Sequence, residues 1–314
     1  MNLDFSNINV LLVGDFMLDH YFYGTSDRQS PENPVPVISP LKEKFFAGGA
    51  GNVAMNIISM GGNVFPVGVI GNDFGGRVLI DIFEKSGMNK DYLISSDLFK
   101  TTVKKRIFSN DIPIARIDSE EIIDSSILID TFNKVKNIID DIDILIISDY
   151  DKGVIDKMSA KFLIDMCNRN NIPILVDPKK SDFMIYKNAT IITPNLLEMQ
   201  NAIEMDSDFE KIIPSCFSLI NEINIEAFVV TRSDKGISLI SNNTVFSVDG
   251  KKIENPDVTG GGDTVISTLA LSFCCGNSLE ESIEIANNAA TSVVREQGTA
   301  YATIDGIKKE LLVK

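Results

Sequence analysis

Short, near-continuous runs of β-branched and aliphatic residues recur along this chain at 8–13, 64–70, 142–148, 172–176, 190–193 and 227–231. A strand with one wet face alternates apolar and polar residues. These runs do not alternate, so both of their faces must be covered, as in parallel sheets sandwiched between helix layers. Segments with helical period separate them, at 52–60, 75–86, 125–139, 156–170, 196–203 and 209–223. Two more, 265–274 and 279–295, close the pattern, with Gly276-Asn277-Ser278 supplying C-cap and N-cap chemistry between them. Strand and helix in alternation predict an α/β fold with a mostly parallel sheet. A hairpin at 236–240 and 244–248, turning through Asn242-Asn243, is expected beside that sheet.

Two stretches break the alternation. Residues 21–46 carry Val35-Pro36-Val37-Ile38 between polar flanks, and residues 101–117 carry Val103, Arg106, Phe108, Ile112, Ile114 and Arg116 around Asn110-Asp111. Both read as strands and turns, and together they predict a small second sheet that could close over a ligand. An exposed sheet edge invites strand pairing, so a homodimer through this sheet is expected.

The chain has 314 residues, 44% of them hydrophobic, enough for an ample core. Its formal charge of -15 opposes non-specific attraction to nucleic acid or anionic lipid and leaves small, local partners. Cys167, Cys216, Cys274 and Cys275 lack metal-ligand spacing, which suits a reducing cytosol. The first residues show no basic segment, and the apolar run at 10–13 ends before Asp15 and Asp19, so neither a signal nor a membrane span is expected. With His20 as the single histidine, multi-histidine metal sites are excluded.

Chemistry concentrates near the C-terminal end, where Asp257-Val258-Thr259-Gly260-Gly261-Gly262-Asp263 feeds an apolar, small-residue helix. The first amides of a helix lack intrahelical acceptors and sit at the positive end of the helix dipole, so they attract anions, and glycines let a phosphate approach closely. An aspartate at that lip repels a phosphate unless it has another task, such as taking a proton from an attacking hydroxyl. The plainer reading makes Asp263 an N-terminal cap. Other polar residues follow strand runs, where open α/β sheets bind ligands. Asp15 and Asp19 offer acceptors to sugar hydroxyls. Gly48, Gly49 and Asn52 open a helix, and Gly49-Ala50-Gly51-Asn52-Val53-Ala54 also fits a dinucleotide fingerprint, with Asp73 about 20 residues on. Asn195 and Glu198, three apart on a helix that Thr193 would cap, offer oxygens suited to hydrated Mg²⁺ beside a nucleotide. Cations gather in the irregular segments and past strand ends: Arg28, Lys104, Lys105, Arg106, Arg116, Lys152 and Lys179.

Taken in order, Gly-Gly-Ala-Gly-Asn-Val-Ala at 48–54, Asn195-Leu-Leu-Glu198, Val230-Thr-Arg-Ser-Asp-Lys-Gly236 and Asp257-Val-Thr-Gly-Gly-Gly-Asp263 resemble the ribokinase-like (PfkB) carbohydrate kinases from end to end. Within that family the chain looks most like the kinases of D-glycero-β-D-manno-heptose 7-phosphate. The narrower likeness lies in Gly14-Asp-Phe-Met-Leu-Asp-His-Tyr21, Ser30-Pro-Glu-Asn-Pro-Val-Pro-Val37, Ser148-Asp-Tyr-Asp-Lys-Gly153, Asp177-Pro-Lys179 and Asp257-Val-Thr259. The resemblance implies a three-layer α/β/α sandwich, one kinase domain with β-lid insertions near 20–46 and 100–118. It implies an ATP- and Mg²⁺-dependent kinase acting on the sugar's anomeric 1-hydroxyl in lipopolysaccharide precursor synthesis, possible use of a monovalent cation, and no nucleic-acid or membrane partner. By the same likeness Asp263 would be the general base, and the amides of Gly260, Gly261 and Gly262 the anion hole. Asn195 and Glu198 would position Mg²⁺. Thr231, Arg232, Ser233, Lys235, Gly236 and Asn287, with Asn195, would line the nucleotide. Asp15, Asp19, Gly48, Gly49, Asn52 and Asp149 would grip the sugar, and Lys104, Arg106 and Lys179 its 7-phosphate. Gly261 departs from the family, which usually has alanine there, and with no nucleotidyltransferase half expected after residue 314, any adenylylation is expected of a separate protein. A kinase for another sugar, an NAD-dependent oxidoreductase and a catalytically silent sugar sensor are the competing readings.

Overall fold

The computed structural model describes residues 1–241, 243–296 and 298–312. Its first half runs β1 (Asn9–Gly14), β2 (Phe16–Gln29), β3 (Pro36–Gly49), α1 (Ala50–Ser59), β4 (Asn63–Gly71), α2 (Phe74–Lys85), β5 (Leu93–Ser96), β6 (Thr102–Ser109), β7 (Ile112–Ser119), α3 (Ile129–Val135) and β8 (Ile144–Ser148). The second half adds α4 (Lys157–Arg169), β9 (Ile174–Asp177), β10 (Ile191–Ile192), α5 (Leu196–Ala202), α6 (Phe209–Ile223), β11 (Ala227–Thr231), β12 (Ile237–Ser241), β13 (Thr244–Val248), α7 (Gly261–Cys274), α8 (Leu279–Val294) and α9 (Ile304–Leu312).

The main sheet has nine strands in the order β13-β12-β11-β10-β9-β8-β1-β4-β5. Every neighbouring pair from β11 to β5 is parallel, and β12 and β13 close one edge as an antiparallel hairpin. Asn242, at the hairpin's turn, lies outside the described residues. The non-alternating runs are explained at β1: Val10 and Leu12 pack with α1, α7, α8 and α9, while Leu11 and Val13 pack with α3, α4 and α6. All four side chains are fully buried, and a polar residue at any of them would lose its water on either face.

The irregular stretches form a second sheet, ordered β3-β2-β6-β7. Strand β2 leaves the end of β1 after Asp15, and β3 returns into α1 through Gly48-Gly49, so the small sheet springs from the C-terminal ends of the parallel strands. Its edge strand β7 is exposed throughout.

Most element boundaries shift by one to three residues from the sequence reading, and three differences have a specific local cause. The helix expected over 125–139 is α3 alone, flanked by 3₁₀ turns at Ser125–Leu128 and Lys136–Asp141 that tighten both ends. Helix α5 is capped by Asn195, not Thr193, whose hydroxyl donates to the Val176 carbonyl instead. Helix α7 starts at Gly261 rather than 265, because the Thr264 amide and hydroxyl both bond the Gly260 carbonyl, at 2.9 and 3.0 Å. Strand β5 and helix α9 are further elements that the hydrophobic pattern did not single out.

Candidate active site

Asp263 is the third residue of α7, not its cap; the cap position belongs to Gly260, in the left-handed region at φ 79°. The carboxylate is 5% exposed and held from two sides. The Tyr150 hydroxyl donates to Oδ1 at 2.6 Å, and the Asn52 side-chain amide donates to Oδ2 at 2.6 Å. Burial pushes its pKa up to about 6, against the lowering effect of those two donors; Asp19 adds to the rise and Lys104 opposes it. Such a group is ionised at neutral pH yet close enough to it to accept a proton.

The amides at this helix start divide. The Gly261 N–H turns inward and donates to the Val258 carbonyl at 3.2 Å, so it is withdrawn from the anion hole expected of it. The N–H groups of Gly260, Gly262 and Asp263 have no acceptor among the described residues. They form an open, donor-only ledge beside the carboxylate, suited to phosphate oxygens.

The candidate sugar residues separate into those that face the site and those already occupied. Asp19 bonds Arg106 across β2 and β6, and the guanidinium lies 5.1 Å from the Tyr21 ring. Lys104, on the same strand as Arg106, sits 5.6 Å from the ring of Tyr150, and its pKa is lowered by burial. A Cβ at Gly48 or Gly49 would lie 2.6 Å from the Asp19 carboxylate or 2.5 Å from the Asp15 carbonyl. Asp15 is held by the loop that follows β8. Its carboxylate accepts the amides of Tyr150, Lys152 and Val154 at 2.8, 3.1 and 3.2 Å, and so fixes the loop that carries Tyr150. Burial raises its pKa to about 6. Asp149 is removed from the ligand set, because Lys180, Tyr186 and the Asp151 amide saturate its buried carboxylate. The Lys179 ammonium lies 3.0 Å from Glu198 Oε1. Of the remaining cations, Lys152 pairs with Glu120 and Arg116 with Asp118. His20 bonds Glu43 and stacks between Phe22 and Phe45 within the small sheet.

Asn195 and Glu198 do meet, as a reciprocal capping box: Asn195 Oδ1 accepts the Glu198 amide and Glu198 Oε2 accepts the Asn195 amide. Asp177 stands nearby at the end of β9, its pKa raised well above the usual carboxylate value by burial and then by Asp263 and Glu198. No group of three or more His, Cys, Asp or Glu side chains that could hold a metal is present among the described residues, so any Mg²⁺ beside Asn195 and Glu198 would be held largely through water. Thr231 ends β11 beside Asn195. The following turn holds Ser233 at φ 55° and Gly236 at φ 81°, where a Cβ would meet the Val248 carbonyl at 2.0 Å. Arg232 leaves this turn to lie 4.7 Å over Phe209, while its guanidinium donates to the Lys235 carbonyl. Asn287 of α8 donates to the Asp249 carbonyl at 3.0 Å.

The dinucleotide reading fails on topology. Its glycines follow β3, an antiparallel strand of the small sheet, not a parallel strand of a βαβ unit. Asp73, the acidic residue it required, caps α2 and bonds Thr101.

The pfkB carbohydrate kinase family matches residues 7–305, nearly the whole length of the chain. The chain belongs to that family. Among curated relatives, the bifunctional protein HldE of Hydrogenovibrio crunogenus is 37% identical over 313 residues, covering 99% of this chain and 64% of the relative. That of Histophilus somni is 38% identical over 297 residues, covering 94% of this chain and 62% of the relative. The chain therefore spans less than two thirds of the length of these relatives. Among solved structures, Arabidopsis thaliana ribokinase complexed with ribose and ATP superposes with a TM-score of 0.75 at 20% identity, over 97% of this chain and 98% of that one. Phosphofructokinase-2 from Escherichia coli with substrates and products gives 0.78 at 16% identity, over 98% of this chain and all (100%) of the other. This pfkB protein thus has the ribokinase-like fold and is a sugar kinase. No helix among its described residues is long and apolar enough to cross a membrane.

Tyr150 is the site residue that sequence reasoning passed over. Its signal was present in Ser148-Asp149-Tyr150, the polar residues at and just beyond the end of β8, but nothing local says which of them turns toward α7.

Proposed function

We propose that this chain uses ATP to phosphorylate the anomeric hydroxyl of D-glycero-β-D-manno-heptose 7-phosphate, yielding the 1,7-bisphosphate, a step toward a lipopolysaccharide precursor. The observation that carries the reading is the buried Asp263 carboxylate beside the free amides of Gly260, Gly262 and Asp263. Asp263 takes the proton of the attacking hydroxyl, and those amides steady the migrating phosphoryl group, whose charge grows in a dry site where such donors act most strongly. Asn52 orients the base. Asp19, with Gly48 and Gly49 closing behind it, holds sugar hydroxyls, and Lys104 and Arg106 reach from the small sheet to the sugar's phosphate. Lys179 moves in this account from the sugar phosphate to the nucleotide side, where it balances Glu198. Thr231, Ser233, Lys235, Gly236 and Asn287 border the nucleotide. Asn195 and Glu198 would hold Mg²⁺ through water, and the ion would supply charge neutralisation between the phosphates.

The heptose is favoured by the segments at 14–21, 30–37, 148–153 and 177–179 and by the similarity to the HldE proteins. The exposed β7, with Ile112, Ile114 and Ile117 open to solvent, supports a homodimer through the small sheet, which light scattering would test.

Mass and phosphorus NMR analysis of the product from heptose 7-phosphate and ATP tests the assignment. A second phosphate on the anomeric oxygen is expected. ATP consumption with fructose 6-phosphate or ribose, but none with heptose 7-phosphate, would overturn the substrate while leaving the kinase.

A further inference from the structure

Tyr150 joins three parts of the site that come from different elements. Its amide holds Asp15, which follows β1; its ring lies under Lys104 of β6; its hydroxyl holds Asp263 of α7. A carboxylate on a free side chain can present either oxygen. Here each oxygen already receives one donor at 2.6 Å, Tyr150 on Oδ1 and Asn52 on Oδ2, so the plane of the group is fixed. An ionised carboxylate oxygen accepts about two hydrogen bonds, so one acceptor direction stays free on each for a sugar hydroxyl.

We propose that Tyr150 is a positioning residue for phosphoryl transfer: through its hydroxyl it sets the orientation of the Asp263 carboxylate and keeps that carboxylate ionised while the acceptor sugar binds. This rests on Asp263 being the base, as proposed above. The phenol remains a donor throughout, because burial and then the neighbouring Asp263 hold its own pKa well above 10. The charged groups facing Asp263 are Asp19 from β2, Lys104 from β6 and Asp177 from β9, and all of them remain when Tyr150 is changed. Asp19 disfavours the ionised Asp263 carboxylate, so it does not make up for a lost donor.

Tyr150→Phe keeps the ring under Lys104 and removes only the hydroxyl. The acid limb of kcat/KM against pH moves upward by about one unit, the scale of a charge-assisted hydrogen bond. The rate loss is about tenfold at the acid end and recovers as pH rises. Carboxyl ¹³C NMR, with the Asp263 signal assigned by its loss in Asp263→Asn, reads the same shift without any substrate. This separates the two ideas: if the protein leaves heptose 7-phosphate untouched, the substrate assignment fails, and the NMR titration still decides the role of Tyr150. Should the Phe variant not fold, replacing the six tyrosines by 3-fluorotyrosine strengthens the donor in place and moves the Asp263 midpoint down. An unmoved midpoint in whichever protein is measured, or a rate loss equal at every pH, overturns the proposal.

Discussion

At the start of α1, a Cβ added to Gly48, Gly49 or Gly51 would meet Asp19, the Asp15 carbonyl or Ala47 at 2.6, 2.5 and 3.0 Å. At the start of α7, one added to Gly261 meets nothing nearer than Val294 at 3.8 Å, and one added to Gly262 meets nothing within 4 Å. Two glycine runs that look alike in sequence thus serve opposite ends. The first lets protein pack against protein and brings Asn52 under the site. The second, at Gly261 and Gly262, keeps protein away and leaves the Gly262 amide facing open space. The helices then share polar contacts at Asn56–Thr264 and Val53–Ser267, and a third, Asn52 to Asp263, links the packing of the first to the chemistry of the second.

If that division is right, the open end fails chemically and the packed end fails structurally. The largest effect is expected at Asp263. Loss of a general base costs about 10²–10⁴ in rate, and Asp263→Asn should reduce kcat by that range in a coupled ATP assay while its urea unfolding midpoint stays close to that of the wild type. The wild type adds a sign. The base works only when ionised, so kcat/KM should fall as pH drops below about 6 and level off above it. The weak residual activity of the variant should lack that limb.

Gly262→Ala comes next. The added methyl keeps the N–H and suits a helix, yet it projects into the space where a ligand would lie. Displacing reacting groups by about 1 Å can cost on the order of 10²-fold, and kcat/KM should fall by about that much while thermal stability holds or rises. Unchanged turnover would mean that the ledge does not face the phosphates.

Gly260→Ala tests the hinge between the two regions. The residue sits at φ 79°, where a side chain costs about 1–2 kcal/mol, and its Cβ would lie 2.3 Å from the Asn52 amide nitrogen. Denaturant unfolding should show a loss of at least that size. Turnover should fall as well, because Asn52 must move and release Asp263.

Much of this was legible because it is local. Both-face burial prints apolar runs such as 8–13, and a donor-rich helix start prints Gly260-Gly261-Gly262. What sequence hides is where a polar group finds its partner. Asp15, Asp19 and Asp149 share a residue type and a strand-end setting. Asp149 is nevertheless spent on Lys180 and Tyr186, 31 and 37 residues away, and Asp15 on amides more than a hundred residues on. Lys179 and Lys180 are adjacent, yet one pairs with Glu198 and the other with Asp149. These choices are settled by tertiary packing, which no spacing rule reports.

Gly261→Ala sharpens the comparison from its quiet side. Its amide is already turned to Val258, so it contributes nothing to the open ledge, and the space around its Cβ accepts a methyl at ordinary contact distance. The residue is the first of α7 and is not among those with positive φ, so alanine adopts the same backbone without strain. Removing a glycine from such a position stabilises by about 0.4–1 kcal/mol, chiefly by restricting the unfolded chain. A slightly higher denaturation midpoint with unchanged kcat is therefore expected. A clear loss of turnover would mean that the Gly261 N–H swings back toward the phosphates during the reaction, and that the ledge needs three glycine amides where the resting structure offers two.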